Sequence, residues 1–195
     1  MVVHTIGHNW SEADIDALEI DSDWVHLAPL LRSDFSAATV ARLAARGHLV
    51  AYDGQGLVRV PRLGELTLDA RYDPDLLGHL AALKLSEDEA AMVSSERERE
   101  RTLDRFSGIP ELLLTHGSRG AEIRVDGTLN RVIPDQVVAD VQTTGAGDVF
   151  MVAYLIGRAR KLAPPAAGTL AANVAAAMLG DRKAIATAPR SSRTS

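Results

Sequence analysis

Short apolar runs alternate with amphipathic stretches along most of the chain, and this alternation predicts its secondary structure. Residues 24–30, 48–53 and 81–85 are apolar runs of the length expected for buried strands. Residues 36–47 lie between the first two runs, have a helix-forming composition and end at Gly47, a favoured residue just after a helix. A strand, a helix and a strand at this spacing predict a βαβ unit in a parallel sheet, and therefore an α/β fold.

The middle of the chain carries more charge. Residues 74–80 predict a short helix. Ser86 is followed three positions later by Glu89, which is the capping-box pattern expected at the start of a helix over 86–93. Residues 95–106 predict a charged helix with a solvated face.

The last third of the chain repeats the alternation. Apolar runs at 111–117 and 121–127 precede a stretch at 149–156 that predicts a buried helix, and an Ala-rich helix is predicted near 166–179. The polar tail at 188–195 is predicted to be disordered. Because no repeat, linker or boundary interrupts the pattern, we expect residues 1–195 to form a single domain.

Composition narrows the class of protein. A chain of 195 residues with 46% hydrophobic and 24% charged residues is typical of a globular domain with a sizeable core. The net charge of −5 gives no broad reason to expect nucleic acid or an anionic membrane as a partner, and the lack of cysteine excludes disulfides. No apolar run is long enough to span a bilayer, and the first residues lack the features of a secretory signal. We therefore predict a cytoplasmic enzyme or binding domain.

The candidate chemistry lies in a short polar stretch directly before the predicted buried helix. Gly145 and Gly147 allow a tight turn and a close approach of a ligand to the backbone. The first N–H groups of a helix have no internal partner and favour an anion, to which Thr143 and Thr144 can add hydroxyl contacts. Asp148 can then accept a proton from an alcohol held beside that anion. From the residues alone, an ordinary helix start with a dipole-favoured carboxylate explains the stretch equally well.

The sequence TTGAGD followed by Val-Phe closely resembles the signature of the ribokinase/PfkB carbohydrate kinase family, usually Asp-Thr-x-Gly-Ala-Gly-Asp-x-Phe. The resemblance implies a three-layer ribokinase-like α/β fold, with a mainly parallel sheet flanked by helices. It also implies ATP-dependent phosphoryl transfer to a hydroxyl of a sugar or sugar-like small molecule. In that family pattern Gly145, Ala146 and Gly147 form the anion hole for the transferred phosphate, and Asp148 is the catalytic base.

Two further segments agree with this resemblance. Residues 112–123 look like the family's Thr-x-Gly-x-x-Gly segment, which implies that Thr115, Gly117 and Gly120 line the nucleotide site. Taken alone, the same glycines are better explained as those of a hairpin turn. Residues 82–90 resemble the family's Lys-x-Asn-x-x-Glu stretch.

The segment at 82–90 supplies the prediction of a residue for Mg²⁺. By resemblance, Glu89 helps to organise the water shell of Mg²⁺, although a Glu at that place is also simply a good helix former. Thr144 and Asn173 complete the predicted nucleotide contacts, with helix packing as the alternative for Asn173.

The chain also departs from the family pattern. Gln142 stands where the signature usually begins with Asp, which puts K⁺ activation in doubt, and Ser86 replaces an Asn near the Mg²⁺ shell. The resemblance covers about residues 20–180 but only the C-terminal part of the family, so we expect an N-terminally truncated version of the fold. Such a chain is expected to expose a strand edge and to pair, for example as a homodimer. The alternative function is a catalytically inactive nucleotide-binding or assembly module.

Overall fold

Two sheets form the framework of the computed structural model, which describes residues 1–94, 104, 106–138 and 143–187, the last four as backbone only. A small antiparallel sheet pairs β1 (Val2–Val3) with β4 (Gly64–Glu65). The central sheet contains, in spatial order, β2 (Trp24–Leu27), β3 (Leu49–Asp53), β5 (Ala82–Ser86), β6 (Glu111–Thr115), β7 (Ala121–Val125) and β8 (Thr128–Val132).

The central sheet is parallel from β2 to β6, and β7 and β8 complete it as an antiparallel hairpin. The predicted parallel βαβ unit is therefore confirmed. Among the described strands β2 lies at one edge of this sheet.

Helices cover both faces of the sheet. They are α1 (Glu12–Asp16), α2 (Ala37–Ala45), α3 (Gln55–Val58), α4 (Glu87–Val93), α5 (Ala146–Ala159) and α6 (Pro164–Thr187), with 3₁₀ turns at Pro74–His79 and Gly117–Arg119. None of the described helices is apolar over the length needed to cross a bilayer. Helix and sheet thus form the predicted three-layer α/β arrangement.

Local signals explain where several helices begin and end. Helix α2 begins after Ser36, whose side chain accepts a hydrogen bond from the backbone N–H of Thr39, and Gly47 follows its end with φ +90°. The capping box of α4 is present as predicted. Helix α6 is longer than the predicted 166–179, because its Ala-rich composition continues to favour a helix beyond residue 179.

The remaining predictions have mixed outcomes. The short helix predicted over 74–80 is a 3₁₀ helix of six residues, which Asp73 caps at its start and which ends two residues before β5. Most of the charged helix predicted at 95–106 and the whole tail at 188–195 lie outside the described residues.

Each face of the sheet has its own apolar core, because successive residues of a strand point to opposite sides. The face covered by α2 and α4 buries large side chains such as Tyr52, Leu83 and Leu112. The face covered by α5 and α6 buries Ala51 and Ala82 against longer helical side chains. Small strand residues on this second face let α5 approach the sheet, and they bring its first turn to the ends of the parallel strands.

Candidate functional site

A cavity of about 330 Å³ lies where β5 and β6 end and where α5 begins. This is the carboxyl edge of the parallel strands, where ligands bind in open α/β sheets. Its polar and turn-forming lining consists of Lys84, Ser86, Glu87, Asp88, Thr115, Gly117, Ser118, Gly120, Gln136, Thr143 and Gly147. Its apolar lining consists of Pro134, Val137, Val138, Ala146, Phe150, Ala172, Ala175, Ala176 and Leu179.

The turn before α5 presents backbone donors to this cavity. Gly145 has φ +82°, a left-handed conformation that glycine adopts without strain, and the N–H of Ala146 closes the turn onto the carbonyl of Thr143 at 2.9 Å. No side chain caps the helix, and the N–H groups of Gly147 and Asp148 have no hydrogen-bond partner among the described residues. Unsatisfied donors at the positive end of a 14-residue helix are suited to an anion, and the predicted anion hole stays a prediction.

The carboxylate of Asp148 is exposed in the first turn of α5. Within the described parts of the chain, no hydrogen bond or ion pair engages it. Such a carboxylate can accept a proton, and it is equally the dipole-favoured first-turn carboxylate of the alternative interpretation, so its role as a base stays a prediction.

Arg182 holds the same turn from the far end of α6. Its Nη1 donates a 2.6 Å hydrogen bond to the carbonyl of Thr144, and its Nη2 lies 3.8 Å from the place where a Cβ on Gly145 would stand. The sequence alone did not point to this arginine, which is 38 positions from its partner. Thr144 itself is exposed and lies outside the lining of the cavity, whereas Thr143 lies within it.

The loop between β6 and β7 forms another wall. Thr115, Gly117 and Gly120 all line the cavity, and the hydroxyl of Thr115 donates to the carbonyl of Leu85 at 3.3 Å. The hairpin interpretation of these glycines is confirmed, with φ +58° at Gly117 and +94° at Gly120. Their place in the cavity is compatible with the nucleotide-binding prediction, which stays a prediction.

Glu89, the residue predicted to organise the water shell of Mg²⁺, forms part of the capping box at the start of α4. Oε2 of Glu89 accepts a 2.8 Å hydrogen bond from the N–H of Ser86, while the Ser86 hydroxyl accepts one from the N–H of Glu89. Glu89 is also absent from the cavity lining, in which its neighbours Glu87 and Asp88 take part. A metal role for Glu89 would have to act through its other oxygen, and it stays a prediction.

The described residues hold no group of three or more acidic or histidine side chains that could bind a metal. Mg²⁺ usually keeps several waters and needs only one or two carboxylates beside the phosphates of its substrate. The acidic start of α4, with Glu87 and Asp88 at the cavity, fits such an ion. One oxygen of Glu87 already has protein partners, since it pairs with Arg119 and lies 3.2 Å from Nδ1 of His116.

Asn173 is not among the residues that line the cavity. Both groups of the Asn173 amide bind Asp135, with 2.8 Å from its Oδ1 to the backbone nitrogen and 2.7 Å from its Nδ2 to the carboxylate. These contacts support the packing alternative for Asn173. Gln142 lies outside the described residues.

Lys84 is a lining residue that sequence reasoning did not single out. It is 5% exposed, and its Nζ lies 3.4 Å from Oδ1 of Asp53, a carboxylate with no exposed surface. The available signal was its place as the Lys of the Lys-x-Asn-x-x-Glu stretch that residues 82–90 resemble.

Comparisons with known proteins agree with the geometry. The family model described as pfkB family carbohydrate kinase matches residues 16–191. A fructokinase from Klebsiella pneumoniae is 35% identical over 99 residues, which are 49% of this chain and 32% of that protein.

Solved structures show the same fold. A pyrophosphate-dependent kinase in the ribokinase family, complexed with a pyrophosphate analog and myo-inositol, is 26% identical with a TM-score of 0.75, over 89% of this chain and 63% of that one. Arabidopsis thaliana ribokinase, complexed with ribose and ATP, is 17% identical with a TM-score of 0.62, over 81% of this chain and 50% of that one. The chain thus spans less than two thirds of the length of these relatives.

Proposed function

Because the chain belongs to the pfkB family of carbohydrate kinases, we propose that it transfers a phosphoryl group from ATP to a hydroxyl of a sugar or sugar-like small molecule. The observation that carries the proposal is the uncapped start of α5 at the cavity, with the unengaged carboxylate of Asp148 one residue after Gly147. Phosphoryl transfer needs donors that hold the phosphate and a carboxylate that orients or deprotonates the attacking hydroxyl.

The cavity suits a nucleotide as the donor. Its apolar wall, which includes Phe150, Ala172 and Leu179, can cover an adenine, while the loop of Thr115 and the turn at Gly145–Gly147 offer polar groups to phosphates. The γ-phosphate would lie against the N–H groups of Gly147 and Asp148. ATP as donor also agrees with the predicted cytoplasmic location.

The reaction follows from this placement. The acceptor hydroxyl oxygen forms a bond to the γ-phosphorus, the bond from that phosphorus to the bridging oxygen breaks, and ADP leaves. The hydroxyl proton passes to the carboxylate of Asp148. Mg²⁺, when bound, neutralises phosphate charge, and Glu87 and Asp88 are the cavity-lining carboxylates that would hold it.

Replacing the base tests the mechanism. We expect Asp148→Asn to lower turnover by about 10²- to 10⁴-fold while ATP binding persists, because an amide cannot accept the proton. Turnover is measured as ADP release across a panel of sugars and polyols, and Asp21→Asn, an exposed aspartate away from the cavity, is the matched control. Unchanged turnover in Asp148→Asn would sink the mechanism.

A second donor is favoured by one comparison. The pyrophosphate-dependent kinase is more similar to this chain than the ATP-bound ribokinase is, at 26% against 17% identity. Parallel assays with ATP and with pyrophosphate decide between the donors. If phosphorylated product forms with pyrophosphate and none forms with ATP, pyrophosphate replaces ATP as the proposed donor.

The same assays address the inactive alternative. Thermal stabilisation by MgATP without ADP release on any acceptor favours a nucleotide-binding or assembly module, because binding to the folded state raises stability whether or not chemistry follows. Homodimer formation, predicted from the exposed edge of β2, is measured separately by the mass in solution.

A further inference from the structure

The guanidinium of Arg182, near the end of α6, lies against the turn before α5 (residues 143–148). Its Nη1 donates a 2.6 Å hydrogen bond to the carbonyl oxygen of Thr144, and its Nη2 lies 3.8 Å from the place where a Cβ on Gly145 would stand. No carboxylate of the described residues pairs with this guanidinium. A positive charge that no acidic partner neutralises therefore lies beside the turn.

Packing of the two helices does not explain this contact. Helices α5 and α6 already lie so close together that a Cβ on Gly157 would stand 2.9 Å from the Cβ of Ala167. Arg182 is exposed, and an exposed hydrogen bond adds little stability because water can replace it. The contact therefore matters more for the charge at the turn than for holding α6 against α5.

The charge acts on the turn through the backbone. The bonded carbonyl belongs to the peptide group between Thr144 and Gly145, and a cationic donor on a carbonyl oxygen polarises the peptide and strengthens its N–H as a donor. The N–H groups of Gly145, Gly147 and Asp148 have no hydrogen-bond partner among the described residues. Arg182 is not itself a lining residue of the cavity, so it adds positive potential at these donors from behind the turn.

A dissolved monovalent cation does not fit the same place. K⁺ binds carbonyl oxygens, and those of the turn are engaged. The carbonyl oxygen of Thr143 accepts from the N–H of Ala146, and that of Thr144 accepts from Arg182. The guanidinium repels a second positive charge. Gln142, which stands where the family signature usually begins with Asp, brings no negative charge to attract one.

We infer that Arg182 is a positioning residue that gives the turn before α5 a built-in positive charge, so that binding of the phosphate donor does not depend on K⁺. This inference rests on the proposed donor site. A charge that is part of the chain is in place before the ligand arrives, whereas a dissolved cation has to be bound together with it, at a cost in entropy.

An exchange of salts on the whole chain tests the first part. Dissociation constants for MgATP, pyrophosphate and adenosine are measured by calorimetry at one ionic strength, with potassium chloride or tetramethylammonium chloride as the salt. Tetramethylammonium screens charge as K⁺ does but is too large for a site made of carbonyl oxygens. We expect the wild type to bind each ligand within about twofold of the same constant in both salts.

Substitutions test the residue. We expect Arg182→Met to weaken MgATP and pyrophosphate by about tenfold and to leave adenosine, which has no phosphate, unchanged. Arg182→Lys keeps the charge and should retain most of the affinity. Guanidinium chloride far below denaturing concentrations should restore part of the affinity lost in Arg182→Met.

The matched control is an arginine at the opposite end of α5. Arg160 is exposed and follows the last residue of the helix, so Arg160→Met removes the same charge from a place far from the turn. It should bind all three ligands as the wild type does and should not respond to guanidinium. The melting temperature of each variant shows that folded chains are being compared.

Two kinds of failure can be distinguished. Binding of MgATP that is more than about twofold tighter in potassium than in tetramethylammonium would overturn the inference, as would wild-type affinity in Arg182→Met. An equal loss for adenosine in Arg182→Met would also overturn it, since a structural role affects every ligand. A wild-type chain that binds neither MgATP nor pyrophosphate would overturn the proposed donor site, and the inference about Arg182 would fall with it.

Discussion

The phenol of Tyr154 donates a 2.6 Å hydrogen bond to Oε2 of Glu111, which joins the middle of α5 to the first residue of β6. Arg158, one turn further along α5, binds the other carboxylate oxygen through Nη2 at 2.7 Å. This group of three, in which Glu111 and Tyr154 are buried and Arg158 is half-buried, fixes α5 to the sheet at the end opposite to Asp148. The orientation of the first turn of α5 toward the cavity therefore depends on this anchor, the contacts of Glu111 with Tyr154 and Arg158.

Removing the anchor is expected to destabilise the fold. Glu111→Ala leaves Arg158 without its carboxylate and Tyr154 without its acceptor, and breaking a buried pair costs about 3 kcal/mol in the free energy of unfolding. Urea denaturation measures the loss. The exposed pair of Asp16 and Arg42 supplies the control, since Asp16→Asn is expected to change stability little. Equal effects of the two substitutions would contradict the anchoring role.

Two buried tyrosines predict a loss of stability in alkali. Burial raises the pKa of the Tyr52 phenol well above its usual value, and burial together with the charge of Glu111 does the same for the pKa of Tyr154. The folded state thus favours the neutral phenols over the ionised ones. Their contribution to the free energy of unfolding is complete below the unfolded pKa of about 10 and is lost as the pH rises above it. Unfolding followed from pH 8 to pH 11 should show stability falling above about pH 10.

Phenylalanine substitutions separate the two tyrosines. The Tyr52 hydroxyl has no hydrogen-bond partner among the described residues, so Tyr52→Phe should be nearly neutral at pH 7 and should lessen the alkaline loss. Tyr154→Phe loses a bond to a carboxylate and should cost about 1.5–3 kcal/mol at pH 7. A Tyr52→Phe variant as sensitive to alkali as the wild type would refute this explanation.

The hairpin at the cavity depends on Gly120. A Cβ there would lie 2.1 Å from the carbonyl oxygen of Val132, and φ is +94°, so Gly120→Ala combines a steric clash with a strained backbone. Gly127 has φ +75° and no atom within 4 Å of the place where a Cβ would stand, so a substitution there experiences the strain alone. We expect Gly127→Ala to cost about 1 kcal/mol and Gly120→Ala about 2–4 kcal/mol. Thermal unfolding would contradict the clash if the two losses were equal.

Helix capping and metal binding at Glu89 can be separated by substitution. Glu89→Gln keeps an oxygen that can accept from the N–H of Ser86, so the capping box and the melting temperature should persist. If the charge also organises Mg²⁺, the Mg²⁺ concentration needed for half-maximal activity should rise about tenfold. Ser86→Ala is the companion variant and should lower stability by about 1 kcal/mol through loss of the cap. An unchanged Mg²⁺ requirement in Glu89→Gln would leave Glu89 with its structural role alone.

Local patterns predicted much of the fold because local physics decides those features. The capping box at Ser86, the positive φ at Gly120 and the strand runs depend on neighbouring residues, and the structure has each of them. The turn at Gly145 was also predictable, since glycines before an apolar helix have few other uses.

The sequence did not predict contacts between residues that lie far apart in the chain. For Asn173 the sequence offered the nucleotide site and helix packing as alternatives, but no periodicity indicated its partner, Asp135, which lies 38 positions away. Lys84 faces Asp53 because β3 and β5 are adjacent in a particular register, and register follows from packing of the whole sheet.

The residues that line the cavity are separated widely in the sequence, so they leave the ribosome at different times. The lining begins with Lys84 of β5 and ends with Leu179 near the end of α6. A nascent chain that has emerged only as far as the turn at Gly145 therefore lacks the wall contributed by α6 and cannot enclose a ligand. Because a ligand stabilises only the state that binds it, a ligand of this cavity would stabilise finished chains and leave unfinished ones unaffected.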